Sequence, residues 1–340
     1  MPTFLKTFTA LLLAACAFAA AAQGASRSVT LKLNHTDTPS GARHQAAELF
    51  AKRIEESSKG KYRVLVFHSG QLGNDAQTIK ALGEGQIDFT ASATGTFATL
   101  VPELNLTALP YLVDSYERGW RFYDESPWLR AQFDKLPAKG VRHLATWEAG
   151  FRSFTTRSAL NQPEDAVGKK MRVFPNEMIK WIVESIGYEA VVIPVTEVYG
   201  AIQQGRVDGQ ENPIDTIRAL RFHEVAPNIV LTQHVYSPLP FVMSEVTWKK
   251  LSAVEREYFQ RAAREAAALS RKLVKEADEK NLEAMRLAGA KIVRLDTAPF
   301  RKAMTSVYAK AKTVYGGDVE AILKDANSGE SSVSSTTKTQ

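Results

Sequence analysis

The strongest limit on how this 340-residue chain can fold is a strand–helix alternation that runs through it twice. Val29-Thr-Leu-Lys-Leu-Asn34 alternates apolar and polar residues and reads as a strand. Ser40 can cap a helix reaching about residue 57, with Ala46, Ala47, Leu49, Phe50 and Ile54 on its apolar face. A strand over 62–67, a helix over 75–82 and a strand over 87–91 follow. The second half repeats the order: strand 170–174, helix 177–186, strand 190–193, helix 197–204, strand 206–210. Ala81-Leu82-x-x-Gly85-x-Ile87-Asp88 recurs as Ala201-Ile202-x-x-Gly205-x-Val207-Asp208. In each copy glycine can end a helix in the left-handed conformation before an apolar residue opens a buried strand. Such βαβ blocks predict an α/β fold of two similar lobes, each a largely parallel sheet with helices on both sides. From 247 to 288 the chain is helix-rich, with a break expected at 278–281 and Gly289 as the stop. The tail 327–340 is Ser/Thr-rich with Val333 its one apolar residue, and is expected to be disordered.

The N-terminus reads as an address. A short stretch carrying Lys6 precedes an uncharged, Leu- and Ala-rich run over 8–22, and small residues offer cleavage after Ala22 or Ala25. The run is shorter than the ~20 residues a membrane span needs, so export by a cleaved signal peptide into the periplasm is expected, with a mature chain from about residue 26. Leu13-Ala14-Ala15-Cys16 leaves a lipid-anchored form as the minor alternative. Cys16 is the one cysteine, which excludes an internal disulfide framework. Lys and Arg number 43 against 37 Asp and Glu, a net +6 spread along the chain, which argues against a nucleic-acid partner.

Enzyme signatures are absent from the sequence: no G-x-S-x-G elbow, P-loop, H-E-x-x-H or G-x-G-x-x-G. The six histidines show no metal-ligand spacing. No cofactor, metal or catalytic residue is expected, and binding becomes the better reading. Two strand segments carry arginines among apolar neighbours, Arg152 in Gly150-Phe-Arg-Ser-Phe154 and Arg172 in Lys170-Met-Arg-Val-Phe174. A buried guanidinium needs an anionic partner. That partner is either an internal Asp or Glu or a ligand carboxylate, which the planar fork binds through two parallel hydrogen bonds. Val207-Asp-Gly-Gln-Glu-Asn-Pro213 places polar side chains at a strand end, where ligands of open α/β sheets sit. Asn212 there either meets the ligand or caps the helix after Pro213.

These residues resemble a family: the solute-binding proteins of tripartite ATP-independent periplasmic (TRAP) transporters, the DctP family. The matching runs are Gly168-Lys-Lys-Met-Arg172-Val, Pro194-Val-Thr-Glu-Val-Tyr199 and Gln204-Gly-Arg-Val-Asp-Gly-Gln-Glu-Asn-Pro213, with Ser69-Gly-Gln-Leu-Gly73 and Leu109-Pro-Tyr111 in the first lobe. The likeness spans about 28–325. It implies a two-lobed, periplasmic-binding-protein-like fold with interleaved domains and a long connecting helix. Lobe I would be 26–149 plus 239–278, and lobe II 150–238 plus 279–326. It also implies a monomeric receptor, not an enzyme, that closes on a small carboxylate and delivers it to a TRAP permease. A same-fold receptor feeding a signalling partner is the alternative.

By resemblance, Arg172 grips the carboxylate, Arg152 assists and Asn212 bonds the same end. His35, Asp75, Ala93, Thr94 and Tyr236 fall where relatives contact the rest of the ligand, Tyr236 following a recurrent His234. The chain departs from the family at Phe174, which puts the role of Asn176 in doubt. It departs again at Val195, where some relatives place an aromatic, and at Ala93, where sialic-acid binders place an acid. His35, Asp75, Thr94 and Tyr236 suggest a hydroxylated ligand end. A sugar acid, uronate or aldonate, is therefore expected over a C4-dicarboxylate or an aromatic acid.

Overall fold

A computed structural model describes residues 28–328. The signal-peptide and Cys16 lipidation readings, and nearly all of the tail, lie outside the described residues. The strands form two sheets. One holds β1 (Val29–Asn34), β2 (Tyr62–Phe67), β3 (Phe89–Ala91), β4 (Val141–Trp147) and β10 (Leu239–Ser244), in the order β2-β1-β3-β10-β4. The other holds β5 (Phe151–Thr156), β6 (Lys170–Val173), β7 (Glu189–Val192), β8 (Gly209–Pro213), β9 (Asn228–Tyr236) and β11 (Lys291–Val293), in the order β11-β9-β5-β8-β6-β7.

The internal repeat is a structural repeat down to single hydrogen bonds. Gly85 and Gly205 both take left-handed backbones, with φ of +73° and +71°. Their amides donate to Leu82 O and Ile202 O, both at 3.0 Å, and the next amides, of Gln86 and Arg206, reach back to Ala81 O and Ala201 O at 2.9 Å. Asp88 then accepts from Lys32 N (2.7 Å), and Asp208 from Lys170 N (2.8 Å). Each aspartate thus pins its strand entry to the first strand of its own block.

The sheets are mixed, not largely parallel. β1 pairs in parallel with β2 and β3, and β6 with β7 and β8. β10 runs antiparallel to β3 and β4, and β5 antiparallel to β8 and β9. The reason lies in two short crossings. Glu148-Ala149-Gly150 joins β4 directly to β5, and Ser237-Pro238 joins β9 to β10, so the chain passes straight between sheets with no room for a crossover helix. The crossings lie side by side, with Ser237 N donating to Gly150 O at 3.0 Å. Gly150 (φ +101°) is needed there, because a Cβ would meet Tyr116 Oη at 2.9 Å.

Local expectations fail at four points, one being that β3 begins at Phe89 rather than 87. Gly41, not Ser40, is the N-cap of the helix Ala42–Ser57, since the Asp37 carboxylate lies against its Cα and a Cβ would come within 2.0 Å of Oδ2. β8 begins at Gly209 rather than 206, because Arg206 to Asp208 are spent on the cap and the Asp208 anchor. The helix Ala253–Leu287 runs unbroken for 35 residues through 278–281. Tertiary contacts override propensity there: Tyr116 donates to Asp278, and Asn281 is buried. Gly289 (φ +100°) does follow its end, with Ala290 N closing on Met285 O at 3.0 Å.

The first sheet packs under Ala42–Ser57 and the long helix through Phe50, Phe89, Phe241, Phe259 and Trp147, with Trp147 stacked on Phe241 at 4.3 Å. On the second sheet, Met171 and Val173 share a core with Ile179 and Ile182 of helix Glu177–Ser185. The last helix, Gly317–Asn327, docks on Pro127–Phe133, where Trp128 Nε1 donates to Asp318 (2.7 Å) and Ser126 Oγ to Asp325 (2.6 Å). Among the described residues no helix is long and apolar enough to cross a membrane. Gly209 has no space for a side chain, since a Cβ would fall 2.4 Å from Thr155 O on β5. Gly209→Ala therefore forces β8 off β5 at about 1–3 kcal/mol, and a thermal melt of the variant will show a midpoint lowered by several degrees.

Candidate functional site

Between the two sheets lies a cleft with about 870 Å³ of empty space, its opening to solvent included. Its walls come from the loops after β1 and β3, from the ends of β6 and β8, and from both crossings. The cleft is bridged on two flanks. Thr38 Oγ1 reaches Ala219 O at 3.3 Å and Ala42 N reaches Asp215 at 3.4 Å. On the other flank Asn176 Nδ2 donates to Gly95 O (3.2 Å) and Asn105 Oδ1 (2.6 Å), while Asn176 Oδ1 caps Ile179 N.

Three neighbouring strands decide the charge at the second-sheet wall. Arg152 on β5, Glu211 on β8 and Arg172 on β6 are all buried. Glu211 meets Arg152 with both oxygens: Nη2 donates to Oε1 at 2.7 Å and Nε to Oε2. Arg152 also donates to Glu211 O (2.7 Å) and Ser237 Oγ (3.2 Å), and its guanidinium sits 5.0 Å over the Phe174 ring. His234 Nε2 lies 3.4 Å from the same carboxylate, and burial lowers that imidazole's pKa. Glu211 is held below the usual carboxylate range by Arg152 and His234 in spite of its burial.

Arg172 is placed differently. Its Nε donates to Ile193 O at 2.8 Å, and no acidic side chain among the described residues pairs with it. Burial pulls its pKa down to about 10, opposed by the field of Glu211. The internal-partner and ligand-partner readings thus separate: Arg152 has its acid, and Arg172 faces the cleft as a cation with none. Asn212 lies in β8 and lines the cleft; the cap position of the next helix is taken by Pro213, without a side-chain bond. One Asn212 N–H goes to Gln210 Oε1, which leaves the amide its second donor.

The other residues named from the sequence divide. Asp75 and Ala93 line the cleft, with Asp75 Oδ1 accepting from Ser92 Oγ at 2.6 Å. His35, Thr94 and Tyr236 do not. His35 is walled in: its Nδ1 accepts from Asp37 N (3.2 Å), so Nε2 carries the proton toward His44 Nδ1 at 3.1 Å, and burial drives its pKa down to about 2. Thr94 bonds Tyr123 Oη (2.9 Å), and Tyr236 Oη donates to Glu148 (2.6 Å). Both line a smaller cavity behind the cleft floor. The sequence reading missed Thr36, Asp37 and Arg43, which line the cleft next to His35. The signal was there in the turn Thr36-Asp37-Thr38-Pro39, whose polar residues follow a strand end.

One buried and two half-buried carboxyls gather beside this wall. Asp215 is raised to about 6 by burial and by the charge of Asp37, against the pull of Ala42 N, Arg43 and Asn281. Asp278 is raised to about 7, mainly by burial, with Asp215 and Glu148 adding to it. Glu148 accepts from Ala149 N, Gly150 N, Trp120 Nε1 and Tyr236 Oη, and burial still keeps it above the usual range. Among the described residues no cluster of His, Cys, Asp and Glu could hold a metal ion.

The family model described as DctP, bacterial extracellular solute-binding protein, family 7, matches residues 33–313. A solute-binding protein of Verminephrobacter eiseniae is 31% identical over 294 residues, covering 86% of this chain and 88% of that one. Among solved structures, the sugar acid binding protein DctPAm from Advenella mimigardefordensis, in complex with galactonate, superposes with a TM-score of 0.85. It is 31% identical and covers 88% of this chain and 98% of its own. A TRAP periplasmic solute binding protein from a Sulfitobacter species, with bound β-D-galacturonate, gives a TM-score of 0.83 at 28% identity, covering 87% and 99%.

The carboxyl cluster yields a pH test. An acid whose folded pKa lies above its unfolded one binds its proton more tightly when folded, so its contribution fades as pH rises from about 4 past 6. Asp215→Asn keeps the acceptor for Ala42 N and removes the charge. It should be neutral at pH 4 and stabilising at pH 8, by on the order of 2–3 kcal/mol. Melting curves of both proteins across that range measure the difference.

Proposed function

The chain belongs to the DctP family of bacterial extracellular solute-binding proteins, and on that premise we propose that its cleft holds a sugar acid whose carboxylate lies on Arg172. The protein is a TRAP-type solute receptor and not an enzyme, and its family works outside the cytoplasm with a TRAP membrane permease. The observation that carries the ligand reading is the Arg172 guanidinium without an acid in the cleft, beside an arginine already saturated by Glu211. A carboxylate is the small anion whose two oxygens match that fork. Asn212 supplies a further donor to the same end. Arg152, which also lines the cleft, holds Glu211 away from Arg172.

A hydroxylated ligand fits the remaining wall, where Asp75 and Asp37 present acceptors. Galactonate and galacturonate in the two related structures support that class. A C4-dicarboxylate or an aromatic acid fits less well, since two carboxylates already line the cleft and Val195 stands where a stacking ring would be needed. The two lobes, 26–149 with 239–278 and 150–238 with 279–326, would close about the crossings at 148–150 and 237–238, and the export signal would be cleaved to release a monomer. The sheet memberships of the strands support that division.

Closure follows only if the ligand binds the closed form better than the open one. X-ray scattering of the protein from residue 26 should therefore give a monomer mass and a smaller radius of gyration once the ligand is added. A thermal-shift screen against uronates, aldonates, C4-dicarboxylates, 2-oxo acids, aromatic acids and neutral sugars tests the ligand class. A ligand at 100 times its Kd stabilises by about 2.7 kcal/mol. The shift should be confined to sugar acids and vanish in Arg172→Ala, whose unliganded melt stays near wild type. A shift with neutral sugars alone, or wild-type affinity in the variant, would sink the carboxylate reading.

A further inference from the structure

We infer that Arg43 and Asp37 form a distal subsite that reads a ligand hydroxyl and excludes a second carboxylate. This inference rests on the carboxylate assignment at Arg172 and names what the other end of the ligand must be.

Arg43 stands in the first turn of the helix Ala42–Ser57 and is 8% exposed. Its Nη1 donates to Thr36 Oγ1 (3.2 Å) and, at the long distance of 3.4 Å, to Ala91 O. Its Nε is buried and has no hydrogen-bond partner among the described residues. No carboxylate among them makes an ion pair with it; burial raises the Asp37 carboxyl above its usual range, against the pull of the Arg43 charge and of Thr38 N. A guanidinium buried in that condition lacks an acceptor, and it lines the cleft.

Asp37 is the mirror case. It is 3% exposed and lines the same cleft; Oδ1 accepts from Thr38 N at 2.9 Å, while Oδ2 lies against Gly41 with no donor among the described residues. One cleft thus presents an unfilled donor and an unfilled acceptor. A carboxylate could satisfy Arg43 only by meeting the oxygens of Asp37, acceptor to acceptor. An ammonium would satisfy Asp37 and be repelled by Arg43. A hydroxyl donates one hydrogen bond and accepts others through a single oxygen, so it alone completes both. With Asp75 also in the wall, every further carboxylate on the ligand adds repulsion. The cleft therefore takes one carboxylate, at Arg172, and a hydroxyl-bearing carbon at the Arg43 end.

The test compares chain-matched acids. Gluconate and galactonate are titrated calorimetrically against glucarate and galactarate, the diacids in which a second carboxylate replaces the terminal hydroxymethyl. Wild type should prefer the better aldonate to its diacid by about tenfold or more. Arg43→Gln should weaken aldonate binding by about 10- to 100-fold, the range for a hydrogen bond to a charged group. Asp37→Asn replaces an acceptor-only group by one that can donate, so it should narrow or invert the aldonate-to-aldarate ratio. A ratio of two Kd values within one variant does not depend on how much of it is folded, and a purely structural Asp37 would leave that ratio unchanged. The subsite is overturned by a wild type that prefers the diacid, by an Asp37→Asn ratio within twofold of wild type, or by unchanged aldonate affinity in Arg43→Gln. If wild type takes some other acid through Arg172 and no hydroxylated one, the subsite fails while the carboxylate assignment stands. If no acid binds at all, the Arg172 assignment fails and this subsite with it.

Discussion

The buried pair of Arg152 and Glu211 is the constraint on which the second-sheet wall depends. Three adjacent strands bring two buried guanidiniums and one buried carboxylate together beside the cleft. One carboxylate can saturate one guanidinium with two hydrogen bonds, and the register hands it to Arg152: Arg152 faces Pro213 and Phe154 faces Glu211, so the pair meets on a diagonal across β5 and β8. The pair is further fixed by Ser237 and by His234, whose imidazole is stacked 4.5 Å from Phe154. Arg172 is left next to a neutralised neighbour. A desolvated cation with a single backbone contact destabilises the empty protein, and that deficit is what a ligand anion removes on binding. Affinity and selectivity for acids therefore share one origin.

The same pair ties the site to the crossings. Arg152 is the second residue of β5, two after Gly150, and its Nη1 bonds Ser237 in the other crossing. Glu148, the first residue of that crossing, collects four donors, one of them from Tyr236 at the end of β9. The side chain that neutralises Glu211 and the backbone that would bend during closure are thus neighbours in the chain. A ligand drawn to Arg172 acts on a wall that is bonded directly to the hinge segments, and no long relay is needed to couple occupancy to closure.

What the sequence revealed and what it concealed follow from how local each signal is. The two Gly-x-Ile/Val-Asp blocks were legible because cap, glycine and aspartate lie within eight residues and carry the same hydrogen bonds in both copies. The antiparallel half of each sheet was not, since the direction of β9 and β10 depends on the two-residue link between them and not on their own residue pattern. The break expected at 278–281 failed because Asp278 is held by Tyr116, far away in sequence. At the site, Arg152 and Arg172 have the same local pattern, and only strand register tells which one meets Glu211. His35 looked like a strand-end contact, whereas the polypeptide turns there so that Thr36 and Asp37 face the cleft and His35 faces His44.

Arg43 illustrates why the most specific part of a binding site is the least legible. On a helical pattern it sits beside Ala42, Ala46 and Ala47 and reads as a solvated charge near a helix start. A cation in the first turn of a helix is also unfavourable to the helix dipole, so local physics offers no reason for it. The reason is supplied only when the loop after β1 brings Asp37 alongside and the second sheet closes over both. A residue that works against its own helix, is buried, and still leaves its Nε without a hydrogen-bond partner among the described residues is stabilised by something outside the chain. The conflict between local preference and tertiary placement is itself the mark of the ligand, and in this cleft it occurs at both ends.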